Sequence, residues 1–364
     1  MTKSTTVYHE QDGSVNILDG EIIAVIGYGN QGRAQALNMR DSGLKVIIGN
    51  RDDEYKVRAQ NDGFETYSIS DAVKKARISF LLIPDEIMNN LFEKEIREHL
   101  SPDDALVFAS GYNIAFNLLE PPHNVDVLMI APRMIGVGVR ETFLRGEGYF
   151  SFVHVHQDVS GKAREILLAL AKGVGTLKKG AIDVTMKEEA VLDLFNEQGF
   201  GPAFGRVLLS SIYTLVNAGY PVEAVLVEMY MSGEMSYTYE KMANIGLVKQ
   251  TNFHSHTSQY GAMSRGIKFM SLPLPKIMKG ILENIENGGF AKEWENPLSK
   301  LKFKFIKYFA MKTRINKLEQ KARKNLGIEE VNIYEKDALT EDEIKEHKEL
   351  RKELQEFEKF YADF

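Results

Sequence analysis

Two carboxylates stand four residues apart in the stretch AVLDLFNEQ, residues 190–198: Asp193 and Glu197. On a helix that spacing puts them on one face with their Cβ atoms adjacent. Two carboxylates so placed repel unless something positive lies between them. Hard divalent cations such as Mg²⁺ bind through such oxygens, with water and substrate completing the shell. The plainer reading is an exposed acidic stripe, the commoner fate of paired helical acids. Against it, Leu192, Leu194, Phe195, Phe200 and Phe204 crowd the pair and leave little room for a broad solvent face. Spacing alone leaves both readings open.

A second stretch carries a different chemistry. Gly27-Tyr28-Gly29-Asn30-Gln31-Gly32 is a G-x-G-x-x-G. Alone it is a weak signal. Here it ends the β-branched run EIIAVIGYG (21–29) and opens the helical pattern QGRAQALNMRDSG (31–43), the context that gives it meaning. Gly27 permits the tight turn, Gly29 lets a pyrophosphate approach the backbone, and Gly32 allows close helix–strand packing. The helix N-terminus then offers its unpaired N–H groups to phosphate. After the next strand, Asn50-Arg51-Asp52-Asp53-Glu54-Tyr55 should approach the adenosine ribose. Asp53 and Glu54 can accept from the 2′-OH and repel a 2′-phosphate, which favours NADH; Arg51 could pair with that phosphate and pulls toward NADPH. A nicotinamide cofactor implies hydride transfer.

Other residues invite weighing. His254-Ser255-His256 could ligate a metal, but histidines spaced by one point opposite ways in an extended chain, so a loop lining the site is preferred. His154 and His156 alternate along a strand and read as structural or surface residues. Glu188 and Glu189 read equally as outer contacts of a site or as solvated helix-start acids. Arg140 is either a structural pair or a carboxylate clamp.

The elements that must position these groups fall into two patterns. Apolar β-branched runs at 21–29, 44–50, 76–84, 105–111, 125–132 and 149–158 alternate with helical segments, which predicts α/β architecture with a Rossmann-type, doubly wound parallel sheet. Near residue 183 the pattern changes. Helical periodicity covers 185–220, 223–244 and 274–298, with 246–264 as a connecting segment. The expected domains are 1–183 for the dinucleotide, 184–330 for a helical metal, substrate and dimerisation domain, and 331–364 for a charged helical extension.

Composition bounds the function. The 364 residues are 44% hydrophobic and 26% charged, as in a globular protein. The net charge of -6 gives no electrostatic reason for a nucleic-acid or anionic-membrane partner. With no cysteine, disulfides, thiolate nucleophiles and Cys-based metal sites are excluded. MTKSTTVYHEQDG lacks the apolar core of a signal peptide, and no uncharged run approaches the roughly 20 residues that span a bilayer. A cytoplasmic enzyme on a small-molecule substrate is the expectation.

The segment GAIDVTMKEEAVLDLFNEQ (180–198) resembles the acidic-helix motif of the ketol-acid reductoisomerase family. So do AVIGYGNQGRAQALNMRDSG (24–43), LIPDEI (82–87), FASGYNI (108–114), APR with VR (131–140), QDVSGKA (157–163), NAGYPVEAVLVE (217–228) and SHTSQYG (255–261). They fall in the family's order across roughly residues 7–300. The resemblance implies a Rossmann domain followed by an all-helical, knotted C-terminal domain. It also implies NADPH or NADH, two Mg²⁺ ions, a homodimer, and conversion of 2-acetolactate-type acids by alkyl migration and ketone reduction. Alkyl migration needs Lewis-acid polarisation of both oxygens, which accounts for paired metals. By the same resemblance Asp193 bridges the metals, Glu197 and Glu228 are ligands, Ser255 and Glu228 meet substrate, and Pro84 and Asp85 lie beside the cofactor.

Four departures fall on chemistry. The family's second acidic helix has two glutamates four apart; here Glu228 is followed at that spacing by Ser232, and Glu234 reaches the same face only through a local bulge. Ser110 stands where the family has histidine, and cannot take an imidazole's proton. Arg133 replaces a lysine and stays protonated. Met134-Ile135-Gly136-Val137 replaces a glycine-rich turn and makes the cleft wall more apolar. The expectation is a divergent oxidoreductase that keeps hydride transfer to a keto or imino acid, with Ser110, Arg133, Asp193 and Glu197 at the reaction. The alternatives are a genuine reductoisomerase serving branched-chain amino acid synthesis and a catalytically silent nucleotide-binding homologue.

Overall fold

The computed structural model describes residues 4–328. Contacts divide the chain into two compact units, 1–193 and 194–364. The anticipated extension at 331–364 lies outside the described residues.

The first unit is built on nine strands: β1 Val7–Tyr8, β2 Ile22–Ile26, β3 Lys45–Gly49, β4 Thr66–Tyr67, β5 Ile78–Leu81, β6 Ala105–Phe108, β7 Asp126–Pro132, β8 Phe150–Gln157 and β9 Gly180–Asp183. They lie in the order β1-β9-β8-β7-β6-β5-β2-β3-β4. Strands β2 to β7 pair in parallel. Between β3 and β5, at β2, the order reverses direction, which is where doubly wound sheets open a ligand crevice. The all-parallel expectation is corrected at one edge. β8 runs antiparallel to β7, β9 is parallel to β8, and β1 closes the edge antiparallel to β9.

The strands are apolar on both sides because helices cover both faces. Successive residues face opposite ways, and the core records it. Ala105 and Val107 join one buried cluster, while Leu106 and Phe108 join the other. The first cluster contains residues of α1 (Asn30–Asp41) and α7 (Ala163–Val174). The second contains Ala72 and Val73 of α3 (Ile69–Lys75) and Met88 of α4 (Asp85–Leu91). The remaining helices of this unit are α2 Glu54–Asn61, α5 Tyr112–Ala115, α6 Gly136–Leu144 and α8 Met186–Phe195.

The second unit is helical throughout its described residues: α9 Gly201–Asn217, α10 Val222–Leu226, α11 Glu234–Ile245, α12 His256–Gly266, α13 Leu274–Glu286, α14 Gly289–Trp294, α15 Pro297–Ala310 and α16 Arg314–Leu326. The expected connection at 246–264 instead contains α12, capped by the Ser255 hydroxyl, which accepts from Ser258 N–H at 3.2 Å. The polar run SHTSQYG conceals the helical period. Fully buried side chains are few in this unit: Ile212, Tyr213, Val225, Leu226 and Ala322 form the largest cluster.

Candidate active site

The glycine turn is built by exclusion. Gly27 sits at φ +93, and a Cβ on it would lie 2.5 Å from the Leu82 carbonyl oxygen. A Cβ on Gly32 would stand 2.1 Å from the Gly27 carbonyl oxygen, closer than any side chain tolerates. Gly29 caps α1, and a Cβ there would meet only open space. The turn thus needs glycine twice for its own packing and once, at Gly29, to leave room outside the protein. Tyr28 points inward. It is buried, its hydroxyl donates to Asp62 at 2.9 Å, and its N–H donates to Asn50 at 3.2 Å. It is a strut of the turn, while the cofactor would meet the backbone. Asn30 and Gln31 open α1, and Gln31 Nε2 donates to the Met134 carbonyl at 2.9 Å.

Beyond β3, Asp53 caps α2, accepting from the Tyr55 and Lys56 N–H groups at 2.9 and 3.3 Å. It also takes Arg51 Nε at 2.8 Å and Asn50 Nδ2 at 2.9 Å. Burial pushes its carboxyl up, but Arg51 and the two N–H groups outweigh that and hold it below the usual range. Glu54 is exposed in the first turn of α2. Pro84 caps α4, and Asp85 accepts from Asn113 Nδ2 at 2.8 Å.

The chemistry-bearing ends of β6 and β7 meet through one residue that the sequence left undecided. Glu189, on α8, is fully buried. Its Oε2 accepts the Gly111 N–H at 2.6 Å, and its Oε1 accepts Arg133 Nη2 at 2.9 Å. Gly111 must be glycine here, since a Cβ would sit 2.1 Å from the Met186 carbonyl oxygen. Burial pushes the Glu189 carboxyl up to about 7; the Gly111 N–H and Arg133 pull it down, and Asp193 pushes it up. Arg133 also donates through Nη1 to Asp193 Oδ1 at 2.7 Å and through Nε to the Ala131 carbonyl at 3.3 Å, and its guanidinium lies 4.9 Å from the Phe152 ring centroid. Ser110, half-buried just after β6, accepts the Tyr112 N–H at 3.2 Å. Glu189, Arg133 and Asp193 therefore form a single cluster. Solvated helix-start behaviour belongs to Glu188 alone, which makes a capping box with Thr185. That T-x-x-E spacing was a readable hint that Glu188 and Glu189 have separate jobs.

The remaining acids belong to the second unit. Glu197 is exposed, within a π-helical turn, Asn196–Phe200. Glu228 is exposed within another, Val227–Met231. Such turns recur at functional sites, although a third, Phe92–Ile96, carries none of these acids. The helical run stops at Ser232, Gly233 turns to φ +82, and exposed Glu234 opens the separate helix α11. The crowding argument for a dry acid pair also fails, because Leu192, Phe200 and Phe204 are 50%, 48% and 38% exposed in the chain. His154 stands 3.1 Å from Asp183. Arg140 ties Asn38 and Asp41 of α1 to α6, a structural role.

The donor set does not fit a pair of divalent ions in one chain. Mg²⁺ would need about 2.0–2.1 Å to each oxygen, and Asp193 Oδ1 already carries Arg133 Nη1. Glu189 spends both oxygens on Gly111 and Arg133, and position 232 is serine. Among the described residues no three His, Asp or Glu side chains converge as metal ligands. No described helix is long and apolar enough to cross a membrane.

Comparison with known proteins places this geometry. Residues 17–180 match the family model "Acetohydroxy acid isomeroreductase, NADPH-binding domain", and residues 186–327 match "Ketol-acid reductoisomerase, C-terminal domain". A "Putative ketol-acid reductoisomerase 3" of Saccharolobus solfataricus is 46% identical over 287 residues, covering 78% of this chain and 86% of that protein. A "Ketol-acid reductoisomerase (NADP(+))" of Petrotoga mobilis is 43% identical over 289 residues, covering 79% and 87%. An NADH-preferring ketol-acid reductoisomerase from an uncultured archaeon superposes with TM-score 0.82 at 32% identity, covering 88% of this chain and 98% of that one. With a Rossmann-type sheet, a G-x-G-x-x-G turn between strand and helix, and both family domains in order, the chain belongs to the ketol-acid reductoisomerase family of NAD(P)H-dependent oxidoreductases.

Proposed function

We propose that this enzyme reduces the carbonyl of a small 2-keto acid with NAD(P)H and has lost the alkyl-migration half of its family's reaction. The observation that carries the reading is the pair at the ends of β6 and β7. Ser110 cannot act as an imidazole does, and Arg133 is a cation with three of its five N–H donors already engaged. The two remaining N–H groups suit the oxygen of a carbonyl as it gains negative charge. Bound NAD(P)H would supply the hydride that the carbonyl carbon accepts and would itself be oxidised to NAD(P)⁺. The alkoxide takes one proton from solvent, and Ser110, whose own O–H is not consumed by the Tyr112 bond, can relay it. Arg133 does not supply that proton, since a guanidinium does not ionise in this range. Exposed Ile135 and Val137 supply an apolar wall for the substrate's side chain.

The cofactor preference follows from Arg51. Its guanidinium is held by Asp53, which weakens it as a 2′-phosphate partner and favours NADH. The NADH preference of the structural neighbour supports this, while the Petrotoga relative is named for NADP⁺. If Mg²⁺ participates, Glu197 and Glu228 are the acids the family resemblance offers to hold it, and no step here depends on it. Exposed Val207, Tyr260, Phe269 and Met270 of the second unit suit burial against a second copy of the chain, and light scattering tests that assembly.

The reaction is tested with Mg²⁺ and each cofactor in separate arms. One arm receives 2-acetolactate, and another the 3-hydroxy-2-keto acid that alkyl migration makes from it. Oxidation of cofactor in the second arm alone is the expected result. Turnover in both identifies a complete reductoisomerase; turnover in neither, with cofactor bound, identifies a silent homologue.

A further inference from the structure

We infer that Arg133 is the resident cation of this site and takes the place of a divalent ion at Asp193. The argument starts from charge. Glu189 and Asp193 lie one helical turn apart on α8 and repel unless a positive group joins them. Arg133 is that group, with Nη1 on Asp193 at 2.7 Å and Nη2 on Glu189 at 2.9 Å. Each carboxylate takes one arm of the planar fork, a geometry a point-like ammonium cannot copy.

The guanidinium is also fixed from the other sides. Its Nε donates to Ala131 and its face lies over the Phe152 ring. The Arg133 backbone N–H is tied to the Phe150 carbonyl at 2.8 Å, and Glu189 is anchored by Gly111. At Asp193 Oδ1 an ion would share the oxygen with a guanidinium held by all of these and lie against its charge. To coordinate the other oxygen, it would sit beside a permanent positive charge. With the guanidinium in place the cluster already carries one charge of relief for its two carboxylates. A divalent ion would overshoot neutrality instead of restoring it. The inference concerns the free enzyme and stands whichever substrate is reduced.

The test is Mn²⁺ titration of the full-length protein, followed by the free-ion electron paramagnetic resonance signal. Wild type, Asp193→Ala, Arg133→Met and the double variant Arg133→Met/Asp193→Ala are compared. Asp193→Ala should leave Mn²⁺ affinity within twofold of wild type. Arg133→Met should tighten binding at least tenfold, and the double variant should lose that gain. A tenfold or larger loss in Asp193→Ala overturns the inference, as does equal affinity in wild type and Arg133→Met. Should Arg133→Met not fold, because Glu189 is left buried without its cation, Arg133→Met/Glu189→Gln removes that burden and is read against the same limits.

Discussion

The glycine turn follows β2 and the Arg133 cluster follows β6 and β7 of the same sheet, yet they are specified in opposite ways. The turn is specified by volume. Gly27 and Gly32 are held by backbone atoms that cannot retreat, so one added methyl breaks it. The cluster is specified by charge. Side chains from two segments distant in sequence, with one backbone N–H from a third, satisfy one another, and a different cation can fill the same role with different consequences. A steric site keeps its residues or fails. An electrostatic site can be rewired while the fold stays.

The largest effect should come from attacking the turn. Gly32→Ala should weaken cofactor binding at least 100-fold, about 2.7 kcal/mol, and lower the melting temperature. Gly29→Ala should weaken binding with the melting temperature unchanged, because its Cβ enters open space. Fluorescence titration beside thermal melts separates the two. If Gly29→Ala binds normally, the turn is not where the cofactor lies.

The cluster should respond to pH next. The folded-state carboxyl of Glu189 is raised to about 7 from 4.5. Between those values the folded chain retains a proton that the unfolded chain has released. This contribution to stability is complete below pH 4.5 and is lost as pH rises through 7. At about 1.4 kcal/mol per unit the loss is at most about 3.5 kcal/mol. Denaturant melts of wild type and Glu189→Gln across that range should differ in slope, and parallel curves would remove Glu189 from the account.

Arg133→Ala should cost about 2 kcal/mol, below the 3–5 of a fully buried pair, because Arg133 and Asp193 are 25% and 41% exposed and partly screened. The smallest effect belongs to Asp53. Its alanine variant should lose about 1 kcal/mol of helix cap. Asp53→Asn keeps cap acceptors, frees Arg51, and should move the ratio of KM values toward NADPH. An unchanged ratio would show that Arg51 does not read the ribose.

These differences explain what could be read before the fold was known. The glycine turn was legible because its spacing is local and its glycines have few other uses. β2, β3 and β5 to β8 were legible from apolar runs, whereas β1 and β4 have two residues each, too short for a period to register, and β9, with the sequence GAID, has no such run. The polar α12 resembled a loop. The partners of Arg133 were not legible, since they lie 56 and 60 residues away and are chosen by the sheet. The burial of Glu189 was hidden because its neighbour Glu188 looks identical and is solvated. The π turns at Asn196 and Val227 have no local spelling; of the acids inside them, Glu197 was found through its spacing from Asp193 and Glu228 through the family motif.

One contact has a further consequence. A Cβ on Gly136 would lie 2.3 Å from the Asn30 carbonyl oxygen, and Gln31 is bonded to Met134. The apolar loop after β7 and the glycine turn after β2 therefore cannot move independently. Thermodynamic linkage then requires reciprocity: whatever factor a bound cofactor applies to substrate affinity, bound substrate applies to cofactor affinity.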